Sequence, residues 1–147
     1  MSDESPPAAK PPIRVRGIDH VTLVTSDLER SRAFYCDLLG MDPQRRPGFP
    51  FPGLWFRAGA TQVHLILETD ETATPGDLSV SATTGAGLAH HFAFEVDDAH
   101  ASARALAEHG VRIMGGPARR PDGCIQVWFY DPDGYVVEVF ERVPGAL

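Results

Sequence analysis

The 147-residue chain carries a net charge of -7, has a sequence pI near 5.2, and contains a single lysine, Lys10. Nucleic acid and anionic membrane surfaces require a basic face, so neither is expected as a partner. Hydrophobic residues make up 43% of the chain, enough for a folded core, and no run approaches membrane-spanning length.

The first stretch, rich in Pro, Ser and charge, reads as a disordered tail over residues 1–13. It lacks the apolar centre of a signal peptide, and Cys36 and Cys124 lack a framework spacing, so they read as reduced thiols and the expected location is cytoplasmic. Next comes an alternating strand, Gly17-Ile-Asp-His20-Val-Thr-Leu-Val-Thr-Ser-Asp27. It reappears as Leu88-Ala-His-His91-Phe-Ala-Phe-Glu-Val-Asp-Asp98. In each copy the His leads to an Asp and then to a helical stretch ending in glycine, Gly40 and Gly110. Ser26 predicts the first N-cap, with Glu29 completing a capping box, and Leu28, Phe34, Leu38 and Leu39 form the helical face. Strands are predicted near Met41–Arg45, Gly53–Ala58 and Gln62–Glu68, and a Thr-, Ser- and Gly-rich linker follows over 69–87. In the second half, Asp97 or Asp98 caps a helix running through Ala101, Ala105 and Leu106 to His109. Strands then fit Val111–Met114, Ile125–Tyr130 and Tyr135–Glu141, the last two joined by the turn Asp131-Pro-Asp-Gly134. The expectation is one domain over 14–142, built from modules 14–68 and 88–142, with a short tail at 143–147.

Strand alternation assigns faces. Val21 and Leu23 fall beneath the first helix, leaving His20 and Thr22 on the open face. Phe92, Phe94 and Val96 likewise leave His91, Ala93 and Glu95 open; Val63, Leu65 and Leu67 leave His64; Val137 and Val139 leave Glu138. A lone half-buried histidine is most often an ordinary strand residue satisfied by hydrogen bonds. Here three histidines and a glutamate occupy repeat-related positions, and an inward carboxylate is costly without a partner. Imidazole and carboxylate are ligands for borderline divalent ions such as Zn, Ni, Co, Mn or Fe. The same parity nominates Gln126, Trp128 and Tyr130 as pocket lining, with Trp55 or Phe56 from the first module.

Ile18-Asp-His-Val21, Asp27-Leu-Glu-Arg-Ser-Arg-Ala-Phe-Tyr35 leading to Leu39-Gly-Met41, and Tyr130-Asp-Pro-Asp-Gly-Tyr-Val-Val-Glu138 resemble the vicinal oxygen chelate superfamily. Its members include glyoxalase I, methylmalonyl-CoA epimerase, fosfomycin-resistance thiol transferases, bleomycin-resistance proteins and extradiol dioxygenases. Phe49-Pro-Phe-Pro-Gly-Leu-Trp-Phe56 with Val63-His-Leu-Ile66 looks like a glyoxalase-like branch. The resemblance covers about Ile13–Arg142 and implies an α+β fold of two repeated βαβββ modules whose sheets curve around a metal-containing cleft. The family's ligands match at His20, His91 and Glu138. Bacterial glyoxalase I has a Glu, and the epimerase a Gln, where this chain has His64. Three imidazoles and one carboxylate leave a divalent site at about +1, which favours an anionic oxygen. In such proteins a module of one chain often closes against a module of a second. That implies a homodimer with His20 and His64 from one subunit and His91 and Glu138 from the other, with closure inside one chain as the alternative.

The expected activity is a metal-dependent glyoxalase-like lyase or isomerase acting on a small α-oxo or vicinal-oxygen substrate. By the resemblance, Glu138 is both ligand and base; Glu95, on the same face as His91, is the secondary candidate. One alternative is an Fe(II)- or Mn(II)-dependent dioxygenase using His20, His91 and Glu138 as a two-His, one-carboxylate triad, against which His64 counts. Another is a non-catalytic drug-binding protein of the bleomycin-resistance type, against which the retained ligand set argues.

Overall fold

A computed structural model describes residues 11–76 and 84–145; most of the expected N-terminal tail, the middle of the linker and the last two residues lie outside the described residues. Two four-stranded sheets carry the fold. In the first, β1 (His20–Thr25) pairs in parallel with β4 (Thr61–Leu67), followed by β3 (Gly53–Ala58) and β2 (Asp42–Gln44) in antiparallel order. The second sheet repeats this with β5 (Phe92–Val96), β8 (Val136–Glu141), β7 (Ile125–Tyr130) and β6 (Ile113–Arg119). One helical segment follows the first strand of each: α1 (Leu28–Arg32), continued by π-type turns over Ala33–Leu38, and α2 (Ala99–Glu108). This is the expected α+β architecture, a twofold βαβββ. No helix among the described residues is long and apolar enough to cross a membrane.

The first helix departs from expectation at both ends. Asp27, not Ser26, is the N-cap, its carboxylate accepting from the Arg30 amide, while Glu29 pairs with Arg32 and forms no capping box. The Ser26 hydroxyl is drawn away by Asp133 of the other module, 2.6 Å distant. Toward the C-terminus the segment continues in π-type turns, in which Phe34 and Tyr35 are both buried in the core. Gly40, at φ +73°, ends the segment as expected. The second helix follows its pattern closely, capped by Asp98. β6 is a further correction: it starts later than expected and runs on to Arg119. The expected strand ended at Met114, but bulges absorb Gly115-Gly116-Pro117 within the β6–β7 ladder.

Alternation places the core as expected. Leu23, Val63 and Leu65 from the first sheet and Val127, Phe129, Val137 and Val139 from the second join Phe34, Tyr35 and Leu106 in a single core. The helix sides of both modules therefore share one interior. The seam is also polar: Asp133, with a side chain only 3% exposed, accepts hydrogen bonds from Thr25, from the Ser26 amide and hydroxyl, and from Arg30. Tyr35 donates to Asp131 at 2.8 Å, and the Tyr135 hydroxyl donates to the Val24 carbonyl at 3.0 Å. Burial and the neighbouring Asp131 charge raise the Tyr35 hydroxyl well above its usual pKa. Asp131 is raised by burial against the opposing Tyr35 hydrogen bond. Asp133 ends below the usual carboxylate range, because its hydrogen bonds and the Arg30 charge outweigh the opposing effect of burial.

Candidate metal centre

The open faces are those turned away from this core, and each carries one pair of the expected ligands. In the second sheet, His91 precedes β5, and the Ala93–Glu138 pairing brings β8 alongside it. His91 Nε2 lies 3.0 Å from Glu138 Oε2. The imidazole's other nitrogen, Nδ1, sits 2.7 Å from the Ala89 carbonyl, which can only accept, so Nδ1 carries the proton and donates it. In the neutral ring Nε2 therefore presents a lone pair toward a carboxylate oxygen. Two electron-rich atoms at this distance need a cation between or beside them, either a proton or a metal ion. Glu138 Oε1 accepts from Gln126 Nε2 at 2.8 Å. Glu138 thus lies 3% exposed with both oxygens engaged.

In the first sheet, the His20 and His64 rings stack at 4.1 Å between centroids, and Trp55, cross-strand from His64, covers its other face at 3.9 Å. His20 Nδ1 donates to Asp19 Oδ2 at 2.7 Å, leaving Nε2 as the free donor atom for a metal. Burial, then the His20 ring, then Arg46 push the His64 pKa below its usual value, against Asp19. These features fit a divalent ion: His20 and His91 each donate one ring N–H to an oxygen and leave Nε2 bare, and Glu138 is held by Gln126, the supporting bonds typical of metal-binding His and carboxylate.

The two pairs do not meet within the chain. Among the described residues, no group of three His, Cys, Asp or Glu side chains is arranged to hold a metal. The other nominated residues are scattered. Trp55 is on the open face beside His64, and Trp128 stands directly across from Glu138, its ring close under Gly87. Phe56, nominated for the pocket, instead faces the core, 1% exposed and stacked near Tyr35, because it alternates away from Trp55. Tyr130, also nominated, lies at the end of β7 with its ring 3.8 Å from the Arg112 guanidinium and lines a hollow with Arg30, Phe34 and Asp133. Glu95 is exposed and paired with Arg142 at 3.4 Å. Asp19 and Ala89, which set the two tautomers, were not singled out from sequence; Asp19 had a signal in its place beside His20, whereas a carbonyl has none.

The profile of the Glyoxalase/Bleomycin resistance protein/Dioxygenase superfamily matches residues 17–139. A lactoylglutathione lyase of Neisseria meningitidis is 30% identical over 86% of this chain and 91% of its own length. The mitochondrial methylmalonyl-CoA epimerase of Bos taurus is 29% identical over 78% of this chain and 66% of its length. The crystal structure of a glyoxalase family protein from Bacillus anthracis superposes with a TM-score of 0.70 at 27% identity, covering 89% of this chain and 98% of that one.

Proposed function

Because this chain belongs to the Glyoxalase/Bleomycin resistance protein/Dioxygenase superfamily, we propose that it is a metal-dependent lyase or isomerase of glyoxalase type, whose site forms between two copies of the chain. His20 and His64 of one copy would hold a divalent ion together with His91 and Glu138 of the other. The ion would supply Lewis-acid polarisation of neighbouring substrate oxygens. Glu138 would move the proton on the adjacent substrate carbon, with Gln126 holding its second oxygen in place. The substrate is a small molecule with an α-oxo or vicinal-oxygen group, the class that fits a lyase such as the Neisseria relative or an epimerase such as the bovine one.

The observation that carries this reading is the convergence of His91 Nε2 on Glu138 Oε2, with Nδ1 committed to a carbonyl. Metal analysis of the purified protein, followed by turnover with Ni, Zn, Mn and Fe(II), is the first test. Subunit mixing tests the shared site. A chain with His20→Ala and His64→Ala and a chain with His91→Ala and Glu138→Gln are each inactive alone. Mixed after partial denaturation and refolding, they regain one intact site per heterodimer. No recovery in a demonstrated heterodimer places all four ligands in one chain and overturns the shared site. A second reading, the dioxygenase, has one observation in its favour: His64 is wedged between Trp55 and His20, with Nε2 3.0 Å from Gln62 Oε1. Were His64 outside the ligand set, the remaining two His and one carboxylate would match the oxygenase triad.

A further inference from the structure

Arg46 follows β2, and its side chain crosses the first residue of β3: a Cβ added at Gly53 would lie 3.1 Å from Arg46 Nε. Phe49, over which the guanidinium lies, packs against Trp55, so the guanidinium lies on the open face that carries Trp55 and His64. Its Cζ stands 4.8 Å from the ring centroids of both Phe49 and Phe51, and Phe49 in turn lies 6.0 Å from Trp55. Among the described residues no carboxylate pairs with Arg46, and its Nη2 is buried without a hydrogen-bond partner. A guanidinium N–H removed from water and left unpaired costs free energy that a bound anion would return.

We propose that Arg46 is a specificity-determining residue that anchors a carboxylate group of the substrate on the open face beside Trp55 and His64. The inference deepens the proposed function, resting on that face being one wall of the site. Two aromatic rings at cation–π distance hold the guanidinium plane in place before any ligand arrives. The planar fork then matches a carboxylate with two parallel hydrogen bonds. One guanidinium brings one positive charge, which balances a carboxylate and leaves a dianionic phosphate half-neutralised. Phe49 and Phe51, 43% and 38% exposed, offer apolar surface to the carbon chain between that carboxylate and the reacting oxygens. The substrates selected are therefore acids that also carry an α-oxo or vicinal-oxygen group, in preference to their amides or esters.

The test uses the full chain without added metal, titrated calorimetrically with succinate, with its neutral diamide and with inorganic phosphate. Nickel titration and sedimentation are run in parallel. Succinate should bind the parent and the diamide should not. Arg46→Gln should weaken succinate by about tenfold to a hundredfold, the range for losing a hydrogen-bonded charged partner, leave oligomeric state and thermal unfolding unchanged, and bind nickel at least as tightly as the parent. Arg46→Lys, which keeps the charge and loses the fork, should fall between. Equal succinate binding by parent and Arg46→Gln, no succinate binding by the parent, or phosphate bound in preference to succinate each overturns the proposal. So does dissociation of a dimer by Arg46→Gln, which would make Arg46 an interface residue. If nickel fails to bind the parent while succinate still separates it from Arg46→Gln, the metal reading falls and the carboxylate anchor stands.

Discussion

Glu138, in the middle of β8, has one oxygen on Gln126 and the other on His91, which is itself tied to the Ala89 carbonyl. His20, at the start of β1, keeps a side chain 42% exposed, held by ring stacking and by Asp19, whose own side chain is 86% exposed. The two half-sites descend from the same repeat, yet the buried ligand of one, Glu138, is held by hydrogen bonds, while the buried ligand of the other, His64, is held mainly by stacked rings beside an exposed His20. The reason is charge. A buried carboxylate must be paired wherever it sits, so the fold builds partners around Glu138, whereas a neutral imidazole tolerates partial exposure and stacking. Half-site two should therefore arrive pre-shaped, and half-site one should tighten only when an ion and a partner chain engage it.

Replacing the carboxylate gives the largest expected effect. Glu138→Gln keeps length and one acceptor oxygen but removes charge and basicity. Activity per bound metal, measured with metal in excess, should fall by roughly two to four orders of magnitude if Glu138 moves the proton. Activity per metal near the parent would reduce Glu138 to a ligand and send the search for a base to Glu95. Smaller, but sharper for the register, is the neighbouring pair. His91→Ala should lower metal content far more than His90→Ala: both histidines line the hollow with Thr22, Val24 and Tyr135, but it is His91 Nε2 that lies 3.0 Å from Glu138 Oε2. Equal loss from both would break the pre-shaped half-site.

The stacked half-site should be more forgiving. His64→Ala should weaken metal binding without abolishing it. His64→Glu, which brings an anionic donor to the position, should keep the ion bound. Metal content unchanged by His64→Ala would remove His64 from the ligand set and favour the oxygenase triad.

Support from the seam is the smallest effect on activity and is read as stability. Asp133 has its pKa depressed in the folded protein, so its contribution is fully present above the unfolded value. That contribution is lost as pH falls through the folded value. Asp131 acts oppositely, since its raised pKa means that ionising it in the fold carries a cost at higher pH. Asp133→Asn should destabilise by about 2 kcal/mol at neutral pH, the order of charged hydrogen bonds lost. It should also flatten the loss of stability below about pH 4, where aspartate ordinarily titrates. Thermal unfolding across pH 2–7 checks this; a variant with the parent's slope would show that Asp133 is not the group responsible.

The repeat, the two helices and most strands could be read from periodicity because each is a local pattern: alternation at His20–Thr25 and Phe92–Val96, and a cap at Asp98. Alternation also put Phe92, Phe94, Val137 and Val139 on one side and His91 and Glu138 on the other. At the first helix the reading failed where a residue from the other module intervened. Ser26 gave up the capping role to Asp27, its own hydroxyl being bonded to Asp133, a partner more than a hundred residues along the chain. Tyr35, which the expected helical face left out, is buried beside Phe34 with its hydroxyl donating to Asp131 of the other module. Arg46 looked like any loop arginine until Phe49, Phe51 and the bare backbone of Gly53 gathered around it. Parity decides which way a side chain points from its own backbone, and it can be counted along one strand. Distance between two side chains depends on how the sheets pack, and that packing brought His20 to His64 and His91 to Glu138 while keeping the two pairs apart in the single chain.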